Sequence, residues 1–363
     1  MPRVLALAAL VGASGCAGPP TARVLASGEA ADVSRASADG DGELLEPSAL
    51  SSARKPTWCF GGGATFAGPP AITDEGAIYV TTHEGHLHAL AADGGYRYSY
   101  TLEGHITGGP AWWRDRVYVP TARGRVYALT DVGSLLWVAR VPLAPLTGLA
   151  VDAHGTGYFV AADGRLYALS PWGTLKYSLT VPELPVVALE NVGDRRVLVQ
   201  TAAGRLFVLG AGRVESLGAP SAFAVSAEGA IRGIVDGTFV ALGGPGASVQ
   251  AKVGPGAAMS AAEGGWVVVN EAGDVVWLDG EGCQTARRST GLAGLRSVTS
   301  ERGIAYVADD DRGLFALDPS GGQKTAFERP SGPVQALVAD PLRRQVLLMT
   351  TDRLCGYPTG DAP

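Results

Sequence analysis

The sequence lacks any apolar run approaching the ~18–20 residues needed to cross a bilayer, so no segment reads as a membrane-spanning helix. It has little charge: 18% Asp, Glu, Lys and Arg, against a usual ~25%. The 29 basic residues are scattered and form no stripe, which argues against nucleic acid as a partner. There is no Gly-x-Ser-x-Gly, no Walker loop and no Cys-x-x-Cys, which removes the motifs of serine hydrolases, P-loop enzymes and thiol oxidoreductases. The four cysteines include no adjacent pair. No stretch of ten or more residues carries a 3.6-residue period, so helical repeats are excluded. Glycine, by contrast, is abundant, 51 of 363 residues. Many glycines with few charges suit short strands joined by tight turns.

The N-terminus reads Met1-Pro2-Arg3, an apolar run from Val4 to Ala13, then Ser14-Gly15-Cys16. One basic residue before a short apolar run is an export-signal pattern. Ala13-Ser14-Gly15-Cys16 resembles the lipobox of bacterial lipoproteins, with Ala13 where Leu is preferred. The resemblance implies lipid attachment to Cys16 and removal of residues 1–15. An ordinary secretory signal with an incidental cysteine is the alternative. Residues 16–55 are rich in Ala, Gly, Ser, Pro and Asp, show no period, and read as a flexible tether with room for a short helix near Glu43 to Leu50. The folded domain is expected over 56–363.

From residue 57 one pattern recurs: a β-rich run, a small turn with Gly, and a second run ending in Ala-Leu or similar. The turn glycines are Gly85, Gly124, Gly164, Gly204, Gly237, Gly273 and Gly313, spaced by 39, 40, 40, 33, 36 and 40 residues. An eighth copy, from Val346 to Cys355, lacks the glycine. A period near 40 in Val-, Leu- and Tyr-rich runs predicts an all-β, eight-bladed β-propeller. Each repeat has room for four antiparallel strands. The degenerate fifth copy, Ile231 to Leu242, leaves seven blades as the alternative.

The cadence Ala128-Leu-Thr-Asp-Val-Gly-Ser-Leu-Leu-Trp137, with its counterpart Ala168 to Tyr177, resembles the tryptophan-docking motif of PQQ-type repeats. In that family the ring stacks between blades; Trp58, Trp137 and Tyr177 fill the place here. Trp58-Cys59-Phe60 reads as an outermost strand without earlier partners, and the C-terminal copy supplies only three strands. Joining them closes the last blade with the N-terminal strand and leaves no open edge. That arrangement places Cys59 and Cys355 on neighbouring strands, where a disulfide would staple the ring in an oxidising compartment. Two buried thiols are the alternative. Cys283 is left unassigned.

The quinoprotein dehydrogenases share this repeat, but their eight-bladed members carry insertions that hold the quinone and a Ca²⁺ ion. The loops here are short, and no Asp, Asn or Glu set stands out as a cation cage. No enzymatic activity and no cofactor are therefore expected. His83-Glu-Gly-His86-Leu-His88 comes nearest to a metal motif, with His105 as a possible fourth ligand. In the repeat alignment, however, His86 occupies the place of Arg125, Arg165 and Arg205. His88 occupies that of Tyr127, Tyr167 and Phe207, which indicates packing. Asp309-Asp310-Asp311 reads as a solvated acidic turn or a Ca²⁺ site.

The loops Val141-Pro-Leu-Ala-Pro-Leu146 and Val181-Pro-Glu-Leu-Pro-Val186 lead into the third and fourth blades. Leu143, Leu146 and Leu184 either make an apolar interaction patch there, with Arg123 and His83 nearby, or begin the inner strands and face the core. The architecture is similar to that of the BamB-like propeller lipoproteins of the outer-membrane β-barrel assembly machinery. The resemblance implies a non-enzymatic scaffold that binds envelope proteins through one propeller face and reaches the membrane only through its lipid. It also implies a place at the outer membrane, facing the periplasm or the cell surface. A surface propeller binding polysaccharide is the alternative, and a PQQ-dependent dehydrogenase the second.

Overall fold

The structure, a computed structural model, describes residues 53–359 except 62, 64, 194, 211, 244–250, 292–294, 296, 309–312, 321–323, 329–331 and 341. Cys16, the export signal, most of the tether and Asp309-Asp310-Asp311 lie outside the described residues.

Strand β1 (Trp58–Gly61) is followed by seven sheets of four consecutive strands. Blade one is β2 (Ala71–Ile72), β3 (Ile78–Thr81), β4 (His86–Leu90) and β5 (Tyr96–Thr101). Blade two is β6 (Ala111–Trp113), β7 (Arg116–Thr121), β8 (Arg125–Thr130) and β9 (Leu135–Arg140). Blade three is β10 (Ala150–Val151), β11 (Gly157–Val160), β12 (Arg165–Leu169) and β13 (Leu175–Thr180). Blade four is β14 (Val186–Asn191), β15 (Val197–Thr201), β16 (Leu206–Gly210) and β17 (Arg213–Gly218). Blade five, the degenerate copy, is β18 (Ala222–Val225), β19 (Ile231–Val235), β20 (Thr238–Ala241) and β21 (Ala251–Lys252). Blade six is β22 (Gly256–Ala262), β23 (Gly265–Asn270), β24 (Asp274–Asp279) and β25 (Gln284–Ser289). Blade seven is β26 (Ser297–Glu301), β27 (Ile304–Ala308), β28 (Leu314–Leu317) and β29 (Lys324–Phe327). The C-terminal strands β30 (Val334–Asp340), β31 (Gln345–Thr350) and β32 (Arg353–Pro358) accept β1 as the outer strand of blade eight. The count is eight, not seven; seven sheets are antiparallel meanders, and the eighth adds β1 antiparallel to β32.

The middle strands are buried on both faces: Ile78–Thr81, Gly157–Val160 and Gln345–Thr350 are buried at every position. Continuous apolar runs, rather than alternation, are what a sheet covered on both sides requires. The core accordingly lies between blades. Phe159 and Tyr167 of blade three pack with Val126 of blade two. Tyr158 and Leu166 of blade three pack with Val199 and Phe207 of blade four. The same holds around the ring to the last seam, where Leu347, Met349 and Leu354 meet Ile78, Val80 and Leu90 of blade one.

Closure is fixed by main chain, side chain and sulfur together. Strand β1 pairs antiparallel with β32, Cys59 opposite Cys355. The two cysteines form a disulfide with a Cα–Cα distance of 4.1 Å. No described cysteine, Cys283 included, is a free thiol. The Gln345 amide donates to Asp340 and to the Ala92 carbonyl of blade one, and accepts from the Trp58 indole. Upstream of β1, Arg54 exchanges main-chain hydrogen bonds with Ala326 and Glu328 along the outer edge of blade seven.

Three docking rings, from blades eight, one and two, sit against the turn glycine of the next blade. A Cβ added to Gly94, Gly133 or Gly173 would lie 2.2, 2.7 or 2.9 Å from Trp58, Tyr98 or Trp137. Tyr98 thus fills the docking place of blade one, which the sequence pattern did not single out. Tyr177, assigned that role for blade three, does not fill it: nothing lies within 4 Å of a Cβ built on Gly212, and Tyr177 is 37% exposed.

Gly173 and Gly212 both have φ in the left-handed region, +81° and +74°, so Ala costs about 1–2 kcal/mol of backbone strain at either. Only Gly173→Ala also drives a methyl into an indole. It should lower the urea-unfolding free energy by roughly a further 1–3 kcal/mol compared with Gly212→Ala.

Candidate functional site

The inter-blade loops and the Gly turns share one face because a repeated hydrogen bond ties them. The first loop residue donates to the turn glycine of its own blade: Leu102 to Gly85, Val141 to Gly124 and Val181 to Gly164, at 2.8, 3.0 and 3.0 Å. The second half of each loop then pairs with the next blade. Leu146 N–H donates to Val160 O and Ala202 N–H to Pro185 O, at 2.8 and 2.9 Å. Between these anchors the loop crest projects to solvent.

Leu143 and Leu184 sit on these crests and Leu146 at the second anchor, 43%, 46% and 49% exposed. They neither begin inner strands nor enter the core; Val141, Val181 and Val186 take the buried places beside them. Leu184 reaches back over the Gly164 turn, where a Cβ would meet its Cδ1 at 3.0 Å. Pro142, Pro182 and Pro185 are exposed between the leucines. Proline fixes the loop backbone, so little ordering entropy remains to be lost when a partner binds. Sequence reading did not single out these prolines, nor Val187, 57% exposed, although they flank the leucines.

Arg123 and His83 lie on the Gly turns of blades two and one, on the same face. The Arg123 side chain runs over Gly104, where a Cβ would come within 2.8 Å of its Cγ. His83 Nδ1 donates to Ile106 O at 3.2 Å, and His105 Nδ1 donates to His83 O at 2.6 Å. These imidazoles brace the first loop. His86 meets the Thr101 hydroxyl at 3.3 Å. His88 packs against Phe60, 5.3 Å between ring centres, and its burial holds its pKa below the usual imidazole value. Among the described residues no three His, Cys, Asp or Glu side chains are grouped to hold a metal ion. Ion pairs rim the apolar crests: Arg125 with Glu103, and Arg205 with Glu183 at 3.2 Å.

The opposite face holds a cavity of about 900 Å³ among the inner turns of blades five to seven, lined by Ser226, Arg232, Glu263, Trp266, Glu301 and Arg302. Glu301 is 6% exposed. Neither of its carboxyl oxygens has a hydrogen bond, and its nearest cation, the Arg302 Nε, stands 4.0 Å away. Burial pushes its pKa above the usual carboxylate range, against the opposing effect of the neighbouring Thr359 hydroxyl and of Arg302 and Arg344. Such a group holds its proton to a higher pH than an exposed carboxyl does.

A carboxyl whose folded pKa is raised contributes most stability below its unfolded pKa and loses it as pH rises through the folded value. Glu301→Gln keeps the shape and removes the charge. Its melting temperature should match the parent near pH 4 and exceed it progressively towards pH 8, by the equivalent of roughly 1–3 kcal/mol. Thermal unfolding across that range checks this.

Comparison with known proteins adds three findings. A family model described as outer membrane protein assembly factor BamB matches residues 29–229, more than half of the chain and all of the loops carrying the exposed leucines. The crystal structure of BamB from Moraxella catarrhalis superposes with a TM-score of 0.59 at 15% identity, covering 84% of this chain and 99% of that one. The computationally designed protein Ika8 superposes with a TM-score of 0.62 at 16% identity, covering 82% and 97%. At these identities the two structures speak for the fold. No curated protein sequence matches.

Proposed function

The chain belongs to the BamB-like family of PQQ-repeat propellers, and on that premise we propose that it is a non-catalytic envelope scaffold which holds partner proteins on the loop face of blades one to four. The observation that carries this is the set Leu143, Leu146 and Leu184, each more than 40% exposed on a loop anchored at both ends. Exposed apolar groups held rigidly and rimmed by arginine–carboxylate pairs are what a protein interface uses, with the centre supplying affinity and the charges orientation. Arg123 extends the face towards blade one.

The same reading makes the protein a lipoprotein, with residues 1–15 removed, Cys16 lipidated and residues 16–55 as tether, at the outer membrane. The membrane contact is then the lipid alone. The non-catalytic part of the proposal rests on the short loops and on the absence of a hydrolase, P-loop or thiol-redox motif in the sequence. The partner class the family points to is a β-barrel assembly protein of the outer membrane.

The test is crosslinking and affinity capture of the full-length protein from its own membranes, alongside a Leu143→Arg, Leu184→Arg double variant. Two crest leucines contributing about 1–2 kcal/mol each predict a loss of capture of roughly 30-fold or more, with melting unchanged. Equal capture by both forms contradicts the placement of the site. Recovery of glycan with no assembly protein contradicts the scaffold reading in favour of polysaccharide binding.

A further inference from the structure

We propose that β9, the outer strand of blade two, is an edge to which an extended segment of a partner polypeptide adds as a fifth strand. This surface lies on the rim of the ring, apart from the loop face, and does not depend on that reading.

The blades serve as controls for one another. Strand pairing makes Tyr98, Trp137, Tyr177 and Ala286 equivalent, opposite Ala89, Ala128, Ala168 and Trp277. The residues just before and just after each point to the other face of the outer strand. There blade one carries Arg97 and Ser99, blade three Lys176 and Ser178, and blade six Thr285 and Arg287; blade four, where Glu215 pairs with Val208, carries Val214, 47% exposed, with the polar Ser216. Blade two carries Leu136 and Val138, 42% and 37% exposed. Outer edges are ordinarily protected by charged or polar groups because an unprotected edge recruits other strands. Blade two lacks that protection until Arg140.

The neighbourhood adds anchoring groups. The Trp137 indole donates to Pro171 O at 2.9 Å, which brings the turn of blade three against β9. Trp172 on that turn is 72% exposed, backed by the Arg116 guanidinium 4.7 Å from its ring centre. Val132, 64% exposed, leads into β9 from the other side. Trp and Arg are the side chains that most often dominate binding energy at protein interfaces.

The chemistry of the edge selects the occupant. Strand β9 ends its sheet, so its far side offers a row of main-chain donors and acceptors at strand spacing. An extended backbone satisfies that row, and a lipid surface does not. Leu136 and Val138 then call for apolar side chains at alternate positions of the added segment. The ring already shows the mode once: on blade seven, Arg54 N–H donates to Ala326 O at 2.9 Å and Arg54 O accepts from Glu328 N–H at 2.8 Å.

The test is hydrogen exchange on the full chain, with a soluble ten-residue peptide alternating Val with Thr and Lys as the probe. A Leu136→Arg, Val138→Ser variant copies the residues blade one carries at these positions, so the fold tolerates them. A Leu136→Thr, Val138→Arg variant, copying blade six, serves as a second. The peptide should slow exchange within residues 135–140 by tenfold or more in the parent, and each variant should weaken peptide binding at least tenfold. Protection confined to the 141–146 and 181–187 loops, or equal binding by parent and variants, overturns the proposal while leaving the loop-face reading intact. Protection of 135–140 by phosphatidylethanolamine–phosphatidylglycerol vesicles and not by the peptide also overturns it, and assigns the strip to a membrane surface.

Discussion

The closure of the ring depends on four residues of its first strand, Trp58–Gly61, pairing with its last, Arg353–Pro358. The seven preceding sheets complete themselves from consecutive strands, but blade eight has only three until Trp58–Gly61 docks on Arg353–Pro358. The middle strands are buried on both faces by the neighbouring blades, and the apolar clusters lie at the seams. An unclosed blade eight would expose two seams at once, that of Leu347 and Met349 with blade one and that of Tyr357 and Phe327 with blade seven. The disulfide between Cys59 and Cys355 spans 296 residues, and a crosslink over so long a loop constrains the unfolded chain strongly.

With closure secured, the outer surface is free to differ from blade to blade. The exposed large apolar side chains gather on one arc: Tyr96, Leu136, Leu143, Leu146, Trp172 and Leu184 all lie in blades one to three or the loops leaving them, while blades five to eight expose Val235 and Leu342. The turns that receive the docking rings, at Gly94, Gly133 and Gly173, fall on the same arc. Rigidity and stickiness thus coincide, and a scaffold needs both: a firm support that loses little entropy on binding, and apolar surface to drive association.

Much of the fold was legible because propeller physics repeats. A turn glycine every 40 residues or so, and a first strand lacking neighbours, point to eight blades with seven as the alternative, and to the closing pair. What the repeat could not reveal was exposure. Tyr177 matches the docking cadence as well as Tyr98 does, yet Tyr98 lies against the Gly133 turn of the next blade, while nothing lies within 4 Å of a Cβ built on Gly212 of blade four. The loop leucines were visible as leucines in Pro-rich loops; whether they faced core or solvent turned on which residue took the buried place, and Val141, Val181 and Val186 took it. Glu301 gave no signal at all. It ends an inner strand as an unremarkable acidic residue, and its burial comes from neighbours distant in sequence. Leu136 and Val138 became informative only once pairing registers aligned the outer strands.

The measurement that tests the central claim most directly is native-state hydrogen exchange on a chain lacking residues 1–61, compared with the full-length protein. If the ring depends on β1, protection collapses in residues 334–358 and extends through both adjoining seams, to 71–101 and 304–327, with the single cooperative unfolding transition lost. Full protection of residues 334–358 and an unchanged transition would show that three strands close the ring unaided, and would contradict the account.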